Sequence, residues 1–195
     1  MRVASLLLAA AAAVALAAPA VAHESVYGGP LLGASEAPSN GSPGSGSAKV
    51  TIDFDLLTMH VESSFAGLLG NVTAAHIHCC TPPGANVGVA TMLPTFTGFP
   101  AGVTSGTYDN TFDMALAGSY NPAFIASHGA TVGLAFNALV AGLDAGQAYL
   151  NIHTNLFPGG EIRALLVPVP EPETYALMIA GLLAVGAAAR RSQRH

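Results

Sequence analysis

Three histidines carry the chemistry this chain can offer. His76 and His78 lie two residues apart in Ala74-Ala75-His76-Ile77-His78-Cys79-Cys80, and His153 lies in Tyr149-Leu150-Asn151-Ile152-His153-Thr154. In a β-strand, residues i and i+2 share a face. With Ile77, Leu150 and Ile152 turned to a core, His76 and His78 point outward on one strand, and Tyr149, Asn151 and His153 on another. If those strands are neighbours, three imidazoles converge on one external face. Neutral imidazole suits Cu(II) and Zn(II), and three nitrogens suffice for either. The competing reading is structural, with histidines hydrogen-bonded across strands to Asn151 or to the Glu161 loop.

Cys79 and Cys80 are the only cysteines. Three states are open: a vicinal disulfide closing a tight turn, two thiols joining the histidines around a soft ion such as Cu(I), or pairing between molecules. An exported protein meets an oxidising exterior, which favours the vicinal disulfide. Catalytic constellations are poor. There is no Gly-x-Ser-x-Gly elbow. The Asp53/Asp55 and Asp109/Asp113 pairs read as solvated strand edges and turns. Glu161 and Arg163, at i and i+2, read as an ion pair with each other. We assign no catalytic and no cofactor-binding residue.

Both ends of the chain are targeting segments. Met1-Arg2, the apolar run from Val3 to Ala18 and the small-x-small site Ala20-Val21-Ala22 make residues 1–22 a signal peptide, cut before His23. At the other end, an apolar run covers 174–189 and a basic tail covers 190–195. The run spans about 24 Å as a helix, somewhat short of a ~30 Å hydrocarbon core, with Arg190 and Arg191 able to snorkel. Physically it is a stop-transfer helix with its positive end in the cytoplasm.

The remaining segment, 23–167, is long enough for one domain with a core of its own. It holds nine acidic side chains against Lys49 and Arg163 alone. That balance excludes nucleic acid and anionic lipid as charge-driven partners. Val50, Ile52 and Phe54 alternate with polar residues, as do Met59, Val61, Ser63 and Phe65, which predicts a hairpin turning at Leu56-Leu57-Thr58. Further strands are predicted at the His76 segment, over 87–92 and over 105–112, with a closing hairpin of 148–154 and 161–167. Phe96 and Phe99 are expected to cap one end of the core. Asn121-Pro122 predicts a short helix ended by Gly129, residues 131–139 read equally as helix or strand, and 39–47 reads as loop. The pattern is all-β: an antiparallel, Greek-key-like β-sandwich with one or two short helices.

Two resemblances sharpen this. Pro170-Glu171-Pro172, a short apolar helix and terminal arginines including Arg190 and Arg191 resemble a PEP-CTERM sorting signal, covering 168–195. The resemblance implies an exosortase as partner, with signal peptidase acting earlier. It also implies a transient inner-membrane precursor of a Gram-negative bacterium that makes exopolysaccharide. Leu32-Gly33-Ala34-Ser35-Glu36-Ala37-Pro38, Ala75-His76-Ile77-His78, Gly146 to Thr154 and Pro158-Gly159-Gly160-Glu161-Ile162-Arg163 together resemble the CHRD domain. That family implies an immunoglobulin- or superoxide-dismutase-like sandwich and no established activity. It usually has glycine after the second histidine, where Cys79-Cys80 stands here. The expectation is an exported, non-enzymatic surface or extracellular-matrix protein associated with exopolysaccharide or biofilm. The alternative is a copper- or zinc-binding protein or redox enzyme using His76, His78 and His153.

Overall fold

A computed structural model describes residues 23–170, together with residues 179, 181–183 and 190. The signal peptide expected over 1–22 lies outside the described residues, as do Glu171, Pro172, Arg191 and most of the apolar run. No helix among the described residues is long and apolar enough to cross a membrane.

The domain is one antiparallel sheet of seven strands, curled around a single core. The strands are β1 (Glu24–Leu32), β2 (Ser45–Asp53), β3 (Thr58–Ala66), β4 (Val72–Cys79), β5 (Gly106–Asp113), β6 (Ala148–Thr154) and β7 (Ile162–Pro168). Their order is β4-β6-β7-β1-β2-β3-β5. Alternation in sequence becomes alternation in burial. Ala48, Val50 and Ile52 of β2 and Met59, Val61 and Phe65 of β3 point inward, while Lys49, Thr51, His60 and Glu62 stay at the surface or half-buried. Ile77, Leu150, Ile152, Ala164 and Leu166 come from the other half of the sheet and join the same core.

Three stretches differ from the sequence reading. β1 runs through Gly28-Gly29-Pro30, a poor strand sequence by propensity. It forms because it is held on both sides, by β2 along its full length and by β7. Glycine is required at 29, where a Cβ would overlap the Leu165 carbonyl oxygen of β7. β2 begins at Ser45, inside the segment expected as loop. The predicted strand over 87–92 is reduced to isolated bridges, His78 with Val89 and Thr91 with Tyr120. Threonine hydroxyls take the edge of β4 in its place. Thr91 Oγ1 accepts from Ile77 N at 3.0 Å and Thr95 Oγ1 accepts from Ala75 N at 2.9 Å. That segment then lays Phe96 on Tyr108 and Phe112, and Phe99 on Phe65. It thereby links the two outermost strands, β4 and β5.

The ambiguous stretch after 131 is a helix. α1 (Pro122–Ser127) is capped by Asn121, and α2 (Val132–Asp144) by Thr131, whose hydroxyl accepts from Leu134 N. Ala135, Phe136, Leu139, Gly142 and Leu143 form the buried stripe of α2 at helical spacing. Tyr27 Oη donates to Asp144 at 2.6 Å and ties the end of α2 to β1.

Candidate metal centre

β4 and β6 are neighbours, with His76 opposite Asn151, His78 opposite Tyr149 and Ala74 opposite His153. His153 therefore sits diagonally across from His76 on the same face of the sheet. Ring centroids are 4.9 Å apart for His76 and His153, 5.6 Å for His76 and His78, and 5.7 Å for His78 and His153. One nitrogen of each ring lies within 4.8 Å of the other two.

One nitrogen of each ring is committed to a backbone carbonyl. His76 Nε2 donates to the Pro94 carbonyl at 2.7 Å, His78 Nδ1 to the Val87 carbonyl at 2.8 Å and His153 Nδ1 to the Pro158 carbonyl at 2.9 Å. A carbonyl oxygen only accepts, so each bond fixes which nitrogen carries the proton. The remaining atoms, His76 Nδ1, His78 Nε2 and His153 Nε2, are lone-pair acceptors, buried and without a hydrogen-bond partner. Buried polar atoms are ordinarily satisfied, so three nitrogens without a partner among the described residues, on three clustered rings, point to a group that takes them. Metal-bound histidines characteristically use this arrangement, with the far N–H held by a carbonyl.

The face carrying the histidines is not external, as the alternation alone implied. His76 and His78 are 6% and 8% exposed. The reason is the segment between β4 and β5, which folds back over them to supply the Val87 and Pro94 carbonyls. Burial pulls His76 and His78 down to about 4, against the opposing pull of those carbonyls, and also lowers His153. The three rings are therefore neutral, as ligands must be. A group with a depressed folded pKa contributes stability above its ordinary value, near 6.5 for histidine, and loses it as pH falls toward the folded value. The metal-free protein is thus expected to lose several degrees of thermal midpoint between pH 7 and pH 4. The His76→Gln/His78→Gln variant should flatten that limb in calorimetric scans with chelator present.

Behind the histidines stands a stack that sequence reasoning did not assemble. Tyr149 lies face to face with His78, centroids 4.8 Å apart, and the Arg163 guanidinium covers the other side of Tyr149 at 3.9 Å. Arg163 Nη2 and Nε reach Glu36 Oε2 at 2.9 and 3.1 Å. Arg163 also donates to the Ala85 carbonyl at 3.1 Å and to Asn86 Oδ1 at 2.5 Å. Its partner is thus Glu36, not Glu161 as expected. Glu161 precedes β7 and turns the other way, where it accepts from Ser42 Oγ, Leu69 N, Gly70 N and Thr154 Oγ1. The signal was present: Glu36 and Arg163 sit in the first and last motifs quoted above for the family resemblance.

Cys79 and Cys80 are joined in a vicinal disulfide. Cys79 follows Ile77 on the core face, 2% exposed, so its sulfur lies across the sheet from the histidines and does not share their site. Pro170 is exposed just past β7, where the sorting segment leaves the domain.

A family model of the PEP-CTERM protein-sorting motif matches residues 168–192. That motif marks the chain as exported, made as a membrane-anchored precursor and recognised by an exosortase. No curated protein and no solved structure matches the chain. A family model of the CHRD domain matches residues 27–166, which contain all seven strands but the ends of β1 and β7, and the whole histidine cluster. The chain belongs to the CHRD-domain family.

Proposed function

We propose that this is an exported surface or extracellular-matrix protein whose domain binds a copper or zinc ion at His76, His78 and His153. The observation that carries the reading is the cluster of three imidazoles, each with one buried nitrogen left unpartnered and the ring oriented by a backbone carbonyl. Three neutral nitrogen donors with no carboxylate or thiolate among them suit Cu(I), Cu(II) or Zn(II) over Mg(II) or Ca(II). The role is binding rather than catalysis, because the cluster lies under a covering segment instead of in a cleft framed by acid–base groups. Sorting through the C-terminal signal would place the site outside the inner membrane, in keeping with an exopolysaccharide-associated matrix.

The test is metal stoichiometry on the purified protein. One copper or zinc per chain is expected after loading and desalting, measured by elemental analysis. The His76→Ala/His78→Ala variant is expected to lose at least a hundredfold in affinity while keeping its far-ultraviolet circular dichroism. Failure of the parent protein to retain either ion would sink the reading. A loaded protein that also turns over superoxide or peroxide would move it from carrier to redox enzyme.

A further inference from the structure

The Cys79–Cys80 disulfide has no part in the histidine centre, yet it is not sealed in the core. α2 crosses it at Gly142, where a Cβ would overlap both sulfur atoms, so that only glycine lets the helix pack so closely. A cavity of about 320 Å³ also reaches the disulfide. It is lined by Cys79 and Cys80, by Val87 to Val89, and by Asn121, Phe124 and His128 from α1 and its flanks. Its size is that of a small-molecule site, apolar with a few polar groups. His128 Nδ1 donates to the Phe124 carbonyl at 2.9 Å, which leaves Nε2 as a proton acceptor on a residue of the cavity wall.

We infer that Cys79–Cys80 is a thiol–disulfide exchange site, and that the cavity beside it admits a small-molecule thiol. Exchange needs a nucleophile to approach a disulfide sulfur. Cys79 is 2% exposed within the core, whereas Cys80 is only half-buried, so Cys80 Sγ is the atom attacked. The incoming thiol gives its proton to His128 Nε2 or to water. Its sulfur bonds to Cys80 Sγ as the Cys79–Cys80 bond breaks, and Cys79 leaves as a thiolate that takes up a proton. A second small thiol then attacks the first one's sulfur and releases Cys80 as a thiol. Two thiols are oxidised to their disulfide while the protein disulfide takes up two electrons and two protons. The adduct sits against Val87, whose carbonyl orients His78, so the redox state of this turn reaches the wall of the histidine centre. The exchange itself stands without the metal reading.

The experiment treats the folded, metal-free protein with glutathione, quenches with an alkylating agent and reads intact and peptide masses. A single glutathione adduct on Cys80 is expected first, then alkylation of both cysteines. Ala123 is exposed at the cavity mouth. Ala123→Trp should therefore fill the entrance and slow the reaction at least tenfold without unfolding the domain, and His128→Gln should slow it severalfold. The inference is overturned if the disulfide yields only after denaturation, if the adduct forms on Cys79, or if Ala123→Trp reacts at the parent rate. It is equally overturned if a protein thiol such as thioredoxin reduces the bond while glutathione does not.

Discussion

Replacing Arg163 by methionine is expected to cost about 3–5 kcal/mol of folding stability, the range for removing one partner of a buried ion pair. Arg163 is 1% exposed and Glu36 is 7% exposed. The substitution strands the Glu36 carboxylate, opens the Ala85 and Asn86 contacts and strips the cation from the Tyr149 face. For a domain of this size the thermal midpoint should fall by about 10–20 °C. Replacing Glu36 by leucine in the same chain should recover part of the loss, because the uncompensated charge is then gone. A double variant less stable than Arg163→Met alone would show that the ion pair is not the source. Metal affinity supplies a second readout. Tyr149 and the Ala85–Val87 segment position His78, so affinity should drop roughly tenfold even where the domain stays folded, as for other supporting shells.

Glu161 carries the second large effect. It is fully buried, and its two oxygens collect four donors from three separate stretches: Ser42, the Leu69-Gly70 amides and Thr154. Asn40, which donates to the Glu161 carbonyl, and the Asn71–Asn155 pair bind the same stretches together around it. Glu161→Leu leaves four donors without an acceptor and is expected to cost about 4–5 kcal/mol, at 1–3 kcal/mol for each stranded group less some repair by water. That is a large share of an ordinary domain's 5–15 kcal/mol. Glu161→Gln keeps one acceptor oxygen and should cost about half as much. Burial pushes this carboxyl up, but the bonds from Ser42, Leu69, Thr154 and Gly70 outweigh it and hold it below the usual glutamate value. A depressed folded pKa means that its contribution is present above about 4.3 and lost as pH falls below that. The histidine limb lies higher, between about 6.5 and 4, so urea midpoints against pH separate the two. If Glu161→Gln leaves the limb below pH 4 unchanged, the carboxylate is not the pin described here.

Local pattern carried the histidine strands a long way. Ile77 inward with His76 and His78 on the opposite face followed from period two, and so did Leu150 and Ile152 against His153. The 131–139 stretch stayed ambiguous because its apolar residues suit either period, and the Thr131 cap with the packing of α2 against the core settled it. β1 is not legible locally, because glycine and proline argue against a strand and only its two neighbours supply the ladder. The Glu161–Arg163 pairing failed for a related reason. Two residues apart in sequence, they are sent to different partners by loops more than a hundred residues away from Arg163 in one case and Glu161 in the other.

Residue identity alone determined the C-terminal sorting signal, the antiparallel all-β class, the family and the three candidate ligands. Those properties rest on composition, short-range alternation and contiguous motifs, which a chain carries before it folds. Only the tertiary structure decided that the three histidines meet, since adjacency of β4 and β6 is a pairing between segments some seventy residues apart. It also decided that they lie under cover, that three carbonyls from two loops set their tautomers, and that the disulfide faces away from them. Irregular loops have no periodicity to read. Their backbone oxygens nevertheless fix the tautomers of three histidines that share one face.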